Sequence, residues 1–160
     1  HKAYGMKIIT TRMFSHEGAR RGKEFALSSF AYQIAKHEKN KKPPYIIKVG
    51  NLDSVRTYAH IADAVHAYWL AATKGKIGEV YNIGGYHTCT VRDALNHLLV
   101  NSSIPKEEFE IVVDPVRVRP TDITLQIPSW DKFHKDTGWQ PVHQIYHIVW
   151  DLLDYWRKTI

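Results

Sequence analysis

The sequence predicts a single α/β domain in which strands pair in parallel. Short β-rich runs alternate with amphipathic helical patterns along the chain, which is typical of βαβ units. The 160 residues suffice for one domain with its own core, and 44% apolar and 24% charged residues are ordinary for a globular protein. No repeat or linker divides the chain.

Four runs are predicted to be strands because β-branched and aromatic residues dominate them. They are residues 6–14, 45–49, 79–83 and 109–113. Residues 1–5 look like the tail of a helix that ends at Gly5, and the polar residues 15–24 are predicted to form a loop.

Five helices are predicted where apolar residues recur at helical spacing. They are residues 25–39, 58–74, 90–100, 129–138 and 143–157. Thr90 and Asp93 predict a capping box for the third helix, and Ser129 is the predicted N-cap of the fourth. The strongest pattern is that of residues 58–74, whose apolar stripe is expected to face the core. This stripe consists of Ile61, Val65, Tyr68, Trp69 and Ala72.

The charge balance favours an anionic partner, since the formal net charge is +6 and the pI is near 9.4. That partner could be nucleic acid or an acidic small molecule. The single cysteine, Cys89, excludes an internal disulfide and a thiolate metal cluster. Because neither a membrane-spanning apolar run nor a secretory signal pattern is present, we expect a soluble cytoplasmic protein without a membrane partner.

Three arginines are candidate ligands for an anion. Arg56 follows a polar loop and precedes helix 58–74, where its guanidinium and free backbone N–H groups could converge. Arg117 and Arg119 lie on one face of a segment predicted to be extended, because Pro120 disfavours a helical conformation at Arg119. Together they would form a diphosphate clamp; ordinary solvent-exposed arginines are the alternative.

Two helical patterns that could suggest catalysis or metal binding have simpler interpretations. Tyr32 and Lys36 have Tyr-x-x-x-Lys spacing, but this spacing is common in helices and is interpreted as coincidental. His143, His147 and Asp151 could form a metal-binding row, but the row lies opposite an apolar stripe. A solvated polar face is the favoured interpretation, and no metal site is predicted.

Two loops also allow both a chemical and a simpler structural interpretation. Ser15-His16-Glu17 places a hydroxyl, an imidazole and a carboxylate side by side, and a loop that lines a ligand pocket is favoured over a catalytic relay. Gly84-Gly85 follows a strand, but the GxGxxG pattern is absent and a tight turn suffices.

Three segments carry a family resemblance. They are GNLDSVRTYAHIAD at residues 50–63, RMFSHEGARRG at residues 12–22, and RPTD at residues 119–122 followed by Lys132 and TGWQP. In the same order they resemble the GNLDxxRDWxHxxD, FNHESPRRG and RPxE/D…K…LGWxP sequences of GDP-mannose 4,6-dehydratases. These belong to the extended short-chain dehydrogenase/reductases, which act on nucleotide sugars.

The resemblance implies that six residues bind the substrate, a nucleotide-diphosphate sugar such as GDP-mannose. Arg56 and Arg119 would bind the diphosphate and Ser15 the sugar. The others are Phe25 and Ala26, through backbone contacts to the nucleotide, and Asp122, as acceptor for a ribose hydroxyl.

The resemblance also implies a cofactor-binding group of four residues, His16, Glu17, Arg20 and Arg21. His16 and Glu17 would line the sugar pocket, while the two arginines would support NAD or NADP binding and subunit contact. In the full enzymes the cofactor oxidises C4 of the sugar, water is eliminated across C5–C6, and the hydride returns at C6.

The family's glycine-rich turn and catalytic residues precede the matching region. The resemblance therefore implies that residues 1–160 are a C-terminal fragment, with the last strands of a Rossmann-like parallel sheet and the small α/β substrate-binding region. The NAD(P)-binding half would be absent, with no catalytic residue in this chain and no activity from it alone. Unpaired strand edges at residues 6–14 and 79–83 favour a homo-oligomer.

Departures from the family sequences leave other activities open. Ser15 replaces an asparagine, Thr57-Tyr58 replaces Asp-Trp, and Ser29 replaces a lysine. A related epimerase, a reductase or another nucleotide-sugar dehydratase is an alternative, as is a binding module without catalysis. A small basic nucleic-acid-binding domain, based on the lysines of residues 36–42, is a further alternative but has no recognised motif, so no nucleic-acid partner is expected.

Overall fold

The computed structural model describes residues 1–119 and 121–160, and it confirms the α/β fold class. The strands are β1 (Thr10–Met13), β2 (His16–Glu17), β3 (Tyr45–Val49), β4 (Val55–His60), β5 (Val80–Ile83), β6 (His87–Thr90), β7 (Phe109–Val113) and β8 (Leu125–Gln126). The helices are α1 (Ala26–Asn40), α2 (Ile61–Lys74), α3 (Val91–Val100), α4 (Asp131–Thr137) and α5 (Ile145–Thr159). None of the described helices combines the length and apolar character needed to cross a membrane.

Parallel pairing dominates the three small sheets of the described residues. β1 pairs in parallel with β5, and β3 pairs in parallel with β7. β4 is the centre of the third sheet, with β2 and β8 parallel to it and β6 antiparallel. The register sets Arg56 opposite Cys89 of β6 and Gln126 of β8, so β4 is enclosed by neighbours at the position of this arginine.

Two apolar clusters form the core. The larger joins α1, α3 and α5 to β3, and it confirms that the apolar faces predicted for these three helices point inward. The smaller lies between α2, β5 and α4, around Tyr81, Phe133 and Trp139. The capping box is also confirmed, because Thr90 Oγ1 accepts the Asp93 N–H at 3.0 Å and Asp93 Oδ2 accepts the Thr90 N–H at 3.1 Å.

The prediction for residues 58–74 was wrong in two ways. Tyr58 belongs to β4, and the helix begins only at Ile61. The apolar stripe faces outward, with Val65 61% and Trp69 66% exposed. The buried face consists of Asp63, Ala64, Ala67, Leu70 and Ala71. Apolar residues occur on both faces of the helix, and periodicity alone selected the face with the larger side chains. The alanine face is the one that packs against the sheet.

Smaller differences concern element ends and short strands. β2, β6 and β8 were not predicted, and each has four residues or fewer. α4 has Trp130 rather than Ser129 at its N-cap, and residues 1–5 form a turn in which the Gly5 N–H donates to the His1 carbonyl at 2.8 Å. The expected influence of Pro120 on Arg119 lies outside the described residues.

Candidate functional site

A cavity of about 510 Å³ lies between the start of α1, strand β4, the β3–β4 loop and the segment that follows β7. Eight of the ten predicted site residues line it. They are Ser15, Glu17, Arg21, Phe25, Ala26, Arg56, Arg119 and Asp122. Residues predicted from three separate motifs are therefore brought to one place by the fold.

His16 and Arg20 do not line the cavity. Successive residues of an extended segment face opposite sides, so Ser15 and Glu17 share the cavity side and His16 lies on the other. The His16 Nδ1 atom is 3.0 Å from the Phe14 carbonyl, and Arg20 is exposed with φ of 70°. A cofactor contact by either residue stays a prediction.

Arg56 lies on strand β4 and not beside a helix N-terminus. Because β4 continues to His60, the first turn of α2 is carried away from the cavity, and the Ala62 N–H donates to His60 Nδ1 at 3.1 Å. The expected convergence of α2 backbone N–H groups with Arg56 was therefore wrong. The cavity is instead lined by the start of α1, which has neither a side-chain cap nor an acidic residue in its first turn.

Asp122 holds Arg56 in place. Its Oδ1 atom accepts from Arg56 Nη2 at 3.1 Å, and its Oδ2 atom accepts from Asn51 Nδ2 at 3.0 Å and Ser54 Oγ at 2.7 Å. The carboxylate fixes one side of the guanidinium, and charge-assisted bonds of this kind give direction as well as attraction. A ribose contact by Asp122 stays a prediction.

Glu17 and Arg21 form a long ion pair in the cavity wall without a hydrogen bond between them. The Glu17 side chain is 7% exposed, and burial raises its pKa to about 7 although Arg21 acts to lower it. Glu17 Oε2 lies 3.7 Å from Arg21 Nε, and neither atom has a hydrogen-bond partner among the described residues. A buried acceptor and a buried donor in the cavity wall therefore lack hydrogen-bond partners.

Six polar residues of the cavity wall were not among the ten predicted site residues: Glu24, Ser29, Asn51, Ser54, Tyr58 and Arg117. Tyr58 was assigned to a helix; the β-branched Val55 and Thr57 around Arg56 were the signal for a strand, which would have put Arg56 and Tyr58 on one face. Burial raises the pKa of the Tyr58 phenol further above neutral pH, so the hydroxyl stays protonated.

Arg117 had been predicted to lie in an extended segment. It ends a short 3₁₀ turn, Pro115–Arg117, and its Nη1 donates to Ser29 Oγ of α1 at 2.9 Å. Gly50 permits this placement, because a β-carbon there would collide with the Arg117 carbonyl oxygen.

The row of His143, His147 and Asp151 is not simply a solvated face, and His143 precedes α5, which begins at Ile145 rather than at the predicted residue 143. His60 stacks on His143 with ring centroids 4.4 Å apart and lies 2.8 Å from Asp151 Oδ2. The buried Asp63 accepts from the Val142 and His143 N–H groups and from His143 Nδ1. The described residues contain no group of three side chains placed to hold a metal ion.

The two motifs interpreted as coincidental lie outside the cavity wall. Tyr32 packs edge-on against Trp156, with ring centroids 5.1 Å apart, and neither it nor Lys36 lines the cavity. Gly85 lies against β4, where a β-carbon would collide with the Tyr58 carbonyl, so close packing explains this glycine.

Sequence comparison identifies relatives of this chain. The family model described as GDP-mannose 4,6 dehydratase matches residues 1–152. The chain is 28% identical to the GDP-6-deoxy-D-mannose reductase of Pseudomonas aeruginosa, over 98% of this chain and 50% of that protein. It is 26% identical to the GDP-mannose 4,6 dehydratase of Drosophila melanogaster, over 95% of this chain and 42% of that protein. The chain spans about half the length of these relatives.

Solved structures show the same fold. The structure of RMD from Pseudomonas aeruginosa complexed with NADPH superposes with a TM-score of 0.85 and 24% identity, over 99% of this chain and 51% of that one. The UDP-glucose 4-epimerase of Thermotoga maritima, solved with UDP-glucose, superposes with a TM-score of 0.77 and 24% identity, over 99% of this chain and 48% of that one.

Proposed function

This chain belongs to the GDP-mannose 4,6 dehydratase family, and from that membership we propose that its cavity binds a nucleotide-diphosphate sugar, with GDP-mannose as the substrate. The full protein would then be a nucleotide-sugar 4,6-dehydratase. Residues 1–160 would form its substrate-binding region and the last strands of its nucleotide-binding sheet.

The observation that carries this proposal is the order of groups along β4. Arg56, oriented by Asp122, lies near the start of the strand, and Tyr58 follows on the same face. Ser15 lies beside Ala59, whose N–H donates to the Ser15 carbonyl at 2.9 Å. Glu17 of β2 lies opposite His60 of β4 in the strand register. At about 3.3 Å per residue, the arginine and the hydroxyl-binding groups are ~10 Å apart. This arrangement suits a ligand with phosphate at one end and sugar hydroxyls at the other.

The chain fits a nicotinamide cofactor at one point of contact. Arg21 lines the cavity, and its Nε has no hydrogen-bond partner in the described residues, so it is the residue that we propose would contact NAD or NADP. The GxGxxG turn that binds such a cofactor is not in this sequence. The bound cofactor would supply the hydride acceptor and donor for oxidation at C4 and reduction at C6.

The chain's own residues would bind and orient the sugar without performing the proton transfers. We expect no dehydratase turnover when the 160-residue chain is incubated with GDP-mannose and NADP. Turnover that disappears in Tyr32→Phe would contradict this and would give the Tyr-x-x-x-Lys spacing a catalytic role. We further propose that the protein is a homo-oligomer, which sedimentation at several concentrations tests.

The binding proposal is tested by calorimetric titration of the chain with GDP-mannose. We expect saturable binding that Arg56→Ala weakens by about tenfold or more, because the diphosphate loses a charge-assisted bond. Arg92→Ala is the control, since Arg92 bonds to Asp53 outside the cavity wall and its loss should leave affinity unchanged. Equal affinity in the wild type and Arg56→Ala would contradict the assignment.

Titration with duplex and single-stranded DNA separates the nucleic-acid alternative. That alternative predicts binding that falls steeply with salt and depends on Lys39, Lys41 and Lys42. We expect weak binding that none of these lysines dominates.

A reductase is the second candidate function, because the relative that aligns over 98% of this chain at 28% identity is a GDP-6-deoxy-D-mannose reductase. Competition between GDP-mannose and GDP-6-deoxy-D-mannose for the cavity compares the two ground-state affinities. Preference for the 6-deoxy sugar would favour the reductase.

A further inference from the structure

Arg117 was a candidate for the diphosphate clamp on its spacing alone, and the family motifs assign it no role. It lies in the cavity wall with Arg56 and Arg119, and three contacts define its position. Its backbone closes the 3₁₀ turn that begins at Pro115, its carbonyl packs against Gly50, and its Nη1 donates to Ser29 Oγ. The side chain is therefore placed by the fold and does not simply extend into solvent.

Ser29 is an unusual partner for a guanidinium. It is a buried residue in the first turn of α1, and its hydroxyl is neutral, so it orients Arg117 without cancelling its charge. The nearest carboxylate of Arg117 is Asp114, whose Oδ2 lies 3.6 Å from Arg117 Nε, beyond hydrogen-bond distance. In contrast, Arg56 donates directly to Asp122.

The contact brings a positive charge to the uncapped start of α1. The first-turn N–H groups of this 15-residue helix have no side-chain acceptor, and Phe25 and Ala26 line the same cavity as Arg117. A guanidinium and free N–H groups beside one another favour the same ligand chemistry, an anion. Ser29 also replaces a lysine of the dehydratase sequences that this chain resembles. Arg117, from the segment after β7, therefore supplies a positive charge at the position where those sequences carry one.

We propose that Arg117 is a third diphosphate-binding residue and that Ser29 positions it over the first turn of α1. This inference rests on the proposed binding of a nucleotide-diphosphate sugar. Arg56 and Arg117 approach the cavity from β4 and from the segment after β7, so they hold the diphosphate from two sides. The nucleotide base takes no part in the contact between Arg117 and the diphosphate. This contact should therefore contribute equally to the binding of different nucleoside diphosphates.

Calorimetric titration of the 160-residue chain with GDP, UDP and GMP tests the proposal. We expect Arg117→Ala to weaken GDP and UDP by a similar factor of about ten or more, and GMP by less, since a charge-assisted bond to a phosphate is removed. Ser29→Ala should weaken both diphosphates by a smaller factor, because Arg117 keeps its charge but loses its orientation. Unfolding temperatures of each variant verify that the fold is retained.

The double variant Ser29→Lys/Arg117→Ala is the decisive comparison. It restores a cation to the first turn of α1 without Arg117, and we expect it to recover part of the diphosphate affinity. Wild-type affinity in Arg117→Ala, with affinity lost in Arg56→Ala, would overturn the inference and leave the proposed function standing. A loss confined to GDP would also overturn it, because it would indicate a contact with the base. Absence of nucleotide binding in the wild type would overturn both.

Discussion

Two aspartates of this molecule each accept three hydrogen bonds, but they do so in different surroundings. Asp63, at the start of α2, has a side chain that is 4% exposed, and two of its three donors are backbone N–H groups. Asp122, in the cavity wall, is 26% exposed, and all three of its donors are side chains, from Asn51, Ser54 and Arg56.

The difference separates a structural network from a candidate binding site. Backbone donors are held by the path of the chain and cannot rotate to another acceptor, so Asp63 fixes residues 142–143 against α2. The side-chain donors around Asp122 can rotate toward water or toward a ligand. A cavity whose groups can exchange partners suits reversible binding, whereas a buried network with fixed partners suits stability.

The largest effect is expected at Asp63. Asp63→Ala should lower the free energy of unfolding by about 3 kcal/mol, because two backbone N–H groups and His143 lose their shared acceptor at once. Chemical denaturation measures this change. Affinity for GDP at a temperature well below the transition should be unchanged, since Asp63 does not line the cavity.

Asp63→Asn is the matched control. The amide oxygen can still accept the two backbone N–H groups, and the amide NH₂ can donate to an unprotonated His143 Nδ1. We expect at least half of the loss to be recovered. If the asparagine variant were as unstable as the alanine variant, the charge of Asp63, rather than its acceptor geometry, would be the stabilising factor.

The second effect is at Glu17 and depends on pH. Burial raises the pKa of Glu17 to about 7 from its model-compound value of 4.5, so the folded state holds a proton that the unfolded state releases. The contribution of Glu17 to stability is therefore fully present below pH 4.5 and is lost as the pH rises toward 7. Glu17→Gln removes this loss and should be more stable than the wild type above pH 7, by up to about 3 kcal/mol.

Glu38→Gln is the control of opposite sign. Burial acts to raise the pKa of Glu38, but bonds from Arg157, Ser103 and Ser102 outweigh it and the pKa is lowered. Its contribution is present above the unfolded pKa and lost as the pH falls, so Glu38→Gln should destabilise the protein at neutral pH and not in acid. Parallel pH profiles for the two variants would show that Glu17 is not the titrating group.

Sequence reasoning was most accurate where one physical signal dominates. The strands Tyr45–Val49 and Phe109–Val113 have the predicted bounds, because continuous β-rich runs lie between clear breaks. For α2 no single signal dominates. Both faces carry apolar residues, alanines on one and Trp69 on the other, and the packing of the helix against the sheet decides which face is buried.

The sequence identified most residues of the candidate site but not the contacts between them. Arg56 and Asp122 were both named, but their mutual bond joins residues 66 positions apart and cannot be derived from spacing. The contact between Arg117 and Ser29 likewise spans 88 positions. The short strands β2 and β8 are defined by their pairing with β4, so no local pattern indicated them.

The smallest change in stability is expected at Asp122, and it tests the comparison most directly. Asp122→Ala should lower the free energy of unfolding by about 1 kcal/mol or less, since its three side-chain donors can bind water in the open cavity. GDP affinity should nevertheless fall about tenfold, because Arg56 is no longer oriented.

Asp122→Asn separates orientation from charge, since its amide oxygen can still accept from Arg56 or from Ser54. Calorimetry should give an affinity between those of the wild type and the alanine variant. Tighter GDP binding in Asp122→Ala would mean that repulsion of the phosphates by the carboxylate outweighs the orientation of Arg56. If instead Asp122→Ala were destabilised as strongly as Asp63→Ala, side-chain donors would be as fixed as backbone donors. The cavity would then be a structural network like that of Asp63, because exchange of hydrogen-bond partners is the property that distinguishes the two.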